Sequence, residues 1–173
     1  QTPSITLPYG RELPPGLETI DWSYRCSGGG LLFHAPNDLV FAVVTAVDDP
    51  LWPKLLKDKM GRLTDLFETV FKHLSISVNR SPEGQPSNTL FCNAYYNPFE
   101  LYHGAEKVLA LALRRLRKVI VVQGIIHLQD GHAAFPSLAA SFSPYLSSGL
   151  AGKVSIEDAL RVLRQQSIGS FFD

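Results

Sequence analysis

Cys92 and His103 are the side chains in this sequence whose types and spacing come nearest to an active pair. A thiolate needs a base within hydrogen-bond reach and a third group to orient that base, and Asn93 or Asn97 is at hand for the third role. The opposing reading is plainer. Cys92 follows Leu90 and Phe91, and a single cysteine in apolar surroundings is usually a small core residue. Metal ligation has one candidate, His127 and His132 flanking Asp130 in HLQDGH. Asp-Gly is a hairpin turn in its own right, and no further cysteine or histidine cluster completes the set, so no metal site is expected.

Glycine-rich stretches raise phosphate binding. Gly28-Gly29-Gly30 precedes a strand rather than a helix, without the spacing of a dinucleotide loop. Gly149-Leu-Ala-Gly152-Lys153-Val154-Ser155 has valine where a P-loop requires serine or threonine. A turn and a helix cap explain the two stretches, and no cofactor is expected. The carboxylate pairs Asp48-Asp49, Asp65/Glu68 and Glu157-Asp158 fall at helix starts or on solvated faces, away from any acid–base centre.

YYNPFELYHG, residues 95–104, combines amphipathic side chains with a helix-start pattern. Asn97 suits the cap, Pro98 the first helical position and Glu100 the reciprocal partner of a capping box. That leaves Tyr95, Tyr96, Phe99, Tyr102 and His103 as a candidate contact surface for a protein partner. Arg114, Arg115, Arg117 and Lys118 would end the same helix, complementing its negative terminus and offering a second docking patch. Without interleaved aromatics, that patch does not suit nucleic acid.

The elements that must carry these residues read as one α+β domain with a mostly antiparallel sheet of about five strands and three to four helices. Residues 1–19, with Pro3, Pro8, Pro14 and Pro15, read as an extended arm ahead of a single domain over 20–173. Ile20–Cys26, Leu31–His34 and Leu39–Val47 form an expected three-stranded meander. Asp48-Asp49-Pro50 opens a helix from about Leu51 to Leu74, whose stripe is Leu56, Met60, Leu63, Phe67, Val70 and Leu74. Residues 79–88, NRSPEGQPSN, read as a mobile loop. A second, nearly all-apolar helix is expected over Pro98–Lys118. Next come a strand over Val119–Leu128 bending at Gly124, an Asp130-Gly131 turn returning along His132–Phe135, and small-residue helix or coil over Pro136–Leu150. A last helix is capped by Ser155 and runs to about Gln166.

Composition narrows the function class further. The chain has 173 residues, 45% hydrophobic and 18% charged, which are values of a globular domain able to bury a core unaided. Sixteen basic and sixteen acidic residues cancel, so no net field favours nucleic acid or an anionic membrane. The apolar runs are far shorter than the ~20 residues of a transmembrane helix, and no signal pattern opens the chain. Two cysteines, Cys26 and Cys92, are expected as free thiols in a reducing, cytoplasmic compartment.

Residues 31–74, LLFHAPNDLVFAVVTAVDDPLWPKLLKDKMGRLTDLFETVFKHL, resemble the second half of a longin domain. Asp38-Leu-Val-Phe41, Val43-Val-Thr45 and the Asp48-Asp49 turn carry the likeness, as in adaptor chains and vesicle-trafficking complex subunits. The resemblance implies a non-catalytic interaction domain, a subunit of a cytoplasmic assembly with a protein partner or a second copy of itself. Membrane association would then be peripheral, through the complex. The alternative is a cysteine-dependent enzyme using Cys92 with His103.

Overall fold

A computed structural model describes residues 2–80, 90–94 and 97–170, the last four without their side chains. Tyr95, Tyr96 and most of the expected 79–88 loop lie outside the described residues. The architecture is α+β, with a five-stranded antiparallel sheet, a smaller three-stranded sheet and four helices.

The small sheet is made by β1 (Ser4–Pro8), β2 (Asp21–Arg25) and β3 (Leu32–His34) in the order β2-β1-β3. The proline-rich arm thus supplies the central strand, parallel to β2 and antiparallel to β3. Ile5, Leu7 and Leu17 are fully buried there with Leu31, Phe33, Phe91 and Phe135. Alternation along SITLP turns Ile5 and Leu7 to one face, and Pro8, which lacks a ladder donor, comes last.

The large sheet has the order β4-β8-β7-β6-β5, where β4 is Leu39–Ala46, β5 Asn79–Arg80, β6 Leu101–His103, β7 Glu106–Arg115 and β8 Val119–Ile126. The expected meander is therefore not formed. Its first two strands flank β1, and only β4 enters the large sheet, as an edge strand paired with β8. On β4, Phe41 and Val43 face inward while Val40 and Val44 face water.

The expected helix over Pro98–Lys118 is instead the β6–β7 hairpin and the start of the turn to β8. Leu-Ala-Leu-Ala-Leu favours helix by propensity, but β7 is covered on both faces. A strand buried on both sides is a continuous apolar run that periodicity cannot tell from a helix. Gly104, at φ +62, makes the tight reversal.

Helix α1 (Leu56–His73) lays Met60, Leu63, Phe67, Val70 and Phe71 on the sheet as its stripe requires. It starts later than Leu51, because Trp52 precedes a proline and is steered out of helical geometry. Asp49 accepts the Leu51 amide at 3.0 Å in the turn before it. Helices α2 (Gly131–Ala134) and α3 (Ala139–Phe142) are single turns. Asp130-Gly131 is thus a helix start rather than a hairpin, with the Asp130 carboxylate accepting the His132 amide at 2.9 Å. Helix α4 (Ile156–Ser170) carries the expected reciprocal cap. Ser155 Oγ accepts the Asp158 amide at 3.0 Å and donates to the Asp158 carboxylate at 2.9 Å.

Candidate functional site

A cleft of about 560 Å³ opens between the Gly28–Gly30 loop, the first turn of α1 and strand β7. Its walls are mainly apolar, with Leu56 and Met60 from α1, Phe91 and Phe99 from the segments before β6, and Leu111 and Leu113 from β7. That size and lining suit a small organic ligand with an aliphatic body.

The glycine loop is held close by its neighbours. Arg25 donates to Thr6 O and Gly28 O, each at 2.9 Å, and also to Gly30 O. Gly29 has φ +92. A Cβ on Gly30 would lie 2.5 Å from Leu90 O and 2.7 Å from Cys92 N, so a backbone passes where any other side chain would sit. The Leu31↔Phe91 bridge and a 2.8 Å bond from Cys92 N to Leu31 O fasten this segment to the loop. The triple glycine is therefore a close-packed wall of the cleft, which is more than the simple turn its sequence suggests.

Glu100 supplies the charge. It lines the cleft, and its carboxylate lies 2.6 Å from Lys107 Nζ, both side chains 2% exposed. Lys107 also donates to Cys92 O at 2.7 Å, and Tyr102 OH lies 3.4 Å from the Glu100 carboxylate. Burial pushes the Glu100 carboxyl up to about 7, against the opposing pull of Lys107. The capping-box role expected for Glu100 is absent because no helix follows. Asn97 instead closes a turn, accepting the Phe99 amide on its side chain and the Glu100 amide on its carbonyl, both at 3.0 Å.

A second buried polar cluster stands behind the sheet. Asp38 accepts from the Ala35, Leu128 and Gln129 amides and from His127 Nδ1 at 2.9–3.2 Å. This ties the β3–β4 turn to the end of β8 and accounts for His127 as a structural residue. Among the described residues no three His, Cys, Asp or Glu side chains converge on a metal position.

Cys92 and His103 do not form a nucleophilic pair. Burial raises the Cys92 thiol, whereas an attacking thiol needs to be lowered. Both His103 ring nitrogens are engaged elsewhere, Nδ1 with Ser77 O at 2.8 Å and Nε2 with Lys153 Nζ. Both cysteines are free. Of the expected contact surface, Tyr102 is buried on β6, Phe99 lines the cleft and His103 is half-buried, while Tyr95 and Tyr96 lie outside the described residues. Arg114, Arg115, Arg117 and Lys118 are exposed at the β7–β8 hairpin, so the helix terminus invoked to explain them does not exist. Arg114 donates to Cys26 O at 2.8 Å. Sequence reasoning missed Lys107 and the role of Glu100, since a helix over 98–118 would not have made them neighbours across a sheet edge. The one available signal was the pair of charges interrupting an apolar stretch.

No protein-family model and no curated protein sequence matches the chain. Solved structures do. A lipoate-protein ligase A bound with ATP superposes with a TM-score of 0.66 at 17% identity, over 95% of this chain and 67% of that one. The chain has the fold of the lipoate-protein ligases. The bi-partite lipoate protein ligase of Thermoplasma acidophilum, studied with its E2 lipoyl domain, gives 0.62 at 18% identity, over 95% of this chain and 66% of that one. P. falciparum LipL1 in complex with lipoate gives 0.63 at 12% identity, over 97% and 44%. This likeness is one of fold, and the chain spans about two-thirds of the first ligase's length. It overturns the longin resemblance, and the vesicle-trafficking subunit drawn from it falls as well. A strand leading through an acidic turn into an amphipathic helix is common to both folds, but here β3 and β4 belong to different sheets. Among the described residues no helix is long and apolar enough to cross a membrane.

Proposed function

We propose that this domain binds a medium-chain acyl ligand of the lipoate type in the cleft between the Gly28–Gly30 loop, α1 and β7. The observation that carries the reading is the cleft itself: about 560 Å³, with a mainly aliphatic and aromatic lining and the buried Glu100 on its wall. An eight-carbon chain with a terminal ring fits a space of that size, since ligand pockets run to roughly 300–1,000 Å³. The same fold in proteins solved with lipoate supports an acyl chain as occupant. A lipoyl domain, the protein studied with the Thermoplasma ligase, is the partner this reading implies. The two free thiols suit a reducing cytoplasmic setting. Nucleotide binding is not included, because Arg25 is engaged with the loop's own carbonyls and Lys107 with Glu100 and Cys92 O.

The test is calorimetric titration of the purified chain with lipoamide and lipoic acid, followed by Ala112→Trp. Ala112 is a half-buried cleft residue of β7, and a tryptophan there fills the space. Saturable binding that the substitution weakens at least tenfold, with an unchanged circular dichroism spectrum, is the expected result. No heat with either compound, or equal binding by the variant, refutes the reading.

A further inference from the structure

We propose that Glu100 sets the head group the cleft accepts, favouring an acyl chain that ends in an amide over one that ends in a free carboxylate. The inference rests on the acyl-binding reading above and adds the chemistry of the ligand's polar end.

Glu100 is the anionic side chain on the cleft wall, and its counter-charge Lys107 is already satisfied by it at 2.6 Å. A ligand carboxylate arriving at Glu100 meets a carboxylate whose buried cation, Lys107, is already paired; the other cation on the cleft wall, Lys57, is exposed on the first turn of α1, where water screens it. Two carboxylates sharing a buried site cannot both stay ionised without large cost. An amide differs in having both polarities. Its N–H donates to the Glu100 carboxylate, and its carbonyl accepts a hydrogen bond without adding charge. A free acid binds well only when Glu100 takes up a proton, which leaves Lys107 to balance the ligand's charge. Burial has already moved the Glu100 carboxyl up to about 7, so that protonation falls within an accessible range.

Several charged or titratable groups face Glu100 or share its end of the cleft. They are Lys107 from β7, Tyr102 from β6, Cys92 from the short turn before it, and Lys57 from α1. Burial holds the Cys92 thiol in its neutral form. Arg25 acts on Cys92 from β2 while its guanidinium is bound to the glycine loop.

Octanamide and octanoate are matched probes differing only in the head. Each is titrated calorimetrically into the wild-type chain and into Glu100→Gln at pH 6 and pH 8.5, in two buffers of different ionisation enthalpy. For the wild type, octanamide should bind no more weakly at pH 8.5 than at pH 6, since its N–H then meets the ionised carboxylate. Octanoate should weaken at least tenfold at pH 8.5 and bind with uptake of a proton. In Glu100→Gln the octanoate dependence should flatten and the proton uptake vanish. Octanoate binding to the wild type that is independent of pH overturns the proposal and leaves the acyl cleft standing. Proton uptake that persists in Glu100→Gln also overturns it, since the ligand itself would then carry the proton. Failure of both probes to bind either protein overturns the cleft reading and this inference together. The wild-type data decide the matter even if the variant does not fold.

Discussion

Replacing Lys107 with methionine removes the counter-charge of Glu100 while keeping most of the aliphatic stem. The two groups lie 2.6 Å apart with 2% of each side chain exposed. At an effective dielectric constant of 20 their attraction is roughly 6 kcal/mol, and desolvation offsets several kcal/mol for each ion. The net worth of the pair is therefore small, but breaking it is not: an uncompensated buried charge costs about 3–5 kcal/mol. The penalty must depend on pH. Below pH 4.5, the ordinary value, Glu100 is protonated in both the folded and the unfolded chain. Between 4.5 and about 7 only the folded chain keeps the proton, so Glu100 lowers stability as pH rises through that window, by about 3 kcal/mol over its full span. His34 works in the opposite sense. Burial depresses it to about 4, so its contribution is lost as pH falls from 6.5 towards that value. The two partly cancel in the wild type, and the difference between variant and wild type isolates the Glu100 pair. Urea denaturation should show Lys107→Met destabilised by about 1–2 kcal/mol at pH 5, where only hydrogen bonds are lost, and by about 3–5 kcal/mol at pH 8.5. The double variant Lys107→Met/Glu100→Met should regain most of the high-pH loss. An equal difference at the two pH values, with unchanged slopes, would refute the assignment of Glu100 as a buried, high-titrating carboxyl.

Gly30→Ala places a Cβ 2.5 Å from Leu90 O, which only a backbone shift relieves, so thermal unfolding should show a loss of about 1–3 kcal/mol together with weaker acyl binding. Iodoacetamide at pH 7.5 should label Cys26, which is exposed, much faster than Cys92, whose buried thiol is raised; peptide mass mapping over time reads the order, and faster labelling of Cys92 would revive a nucleophilic role.

Several elements were legible in the residues alone. The stripe of α1 and the cap at Ser155 depend on spacings of three and four that only a helix explains, and both are present. Strand β4 was legible from its β-branched residues, and β8 from Val119 onward likewise. The failures share a cause, since each segment's conformation is decided by distant neighbours. Residues 106–115 became a strand because β6 and β8 flank them and other layers cover both faces, overriding the helical preference of Leu and Ala. The early prolines suggested an arm, yet Ile5 and Leu7 between two strands form the centre of a second core.

The site was hidden by the same long-range pairing. Glu100 and Lys107 are seven apart in the sequence, a spacing that on a helix would set them roughly two turns apart on one solvated face. The β6–β7 reversal at Gly104 removes that possibility and folds the two charges onto each other, with Glu100 on the cleft wall. The Gly28–Gly30 loop sits opposite only because β1, twenty or more residues earlier, holds β2 and β3 on its two sides. A chain that merely needed a stable core would gain by replacing the buried ion pair with apolar residues, often by 1–4 kcal/mol. A carboxylate buried on the wall of an otherwise apolar cleft, at that cost, is the group the proposed recognition of a ligand's polar head would use.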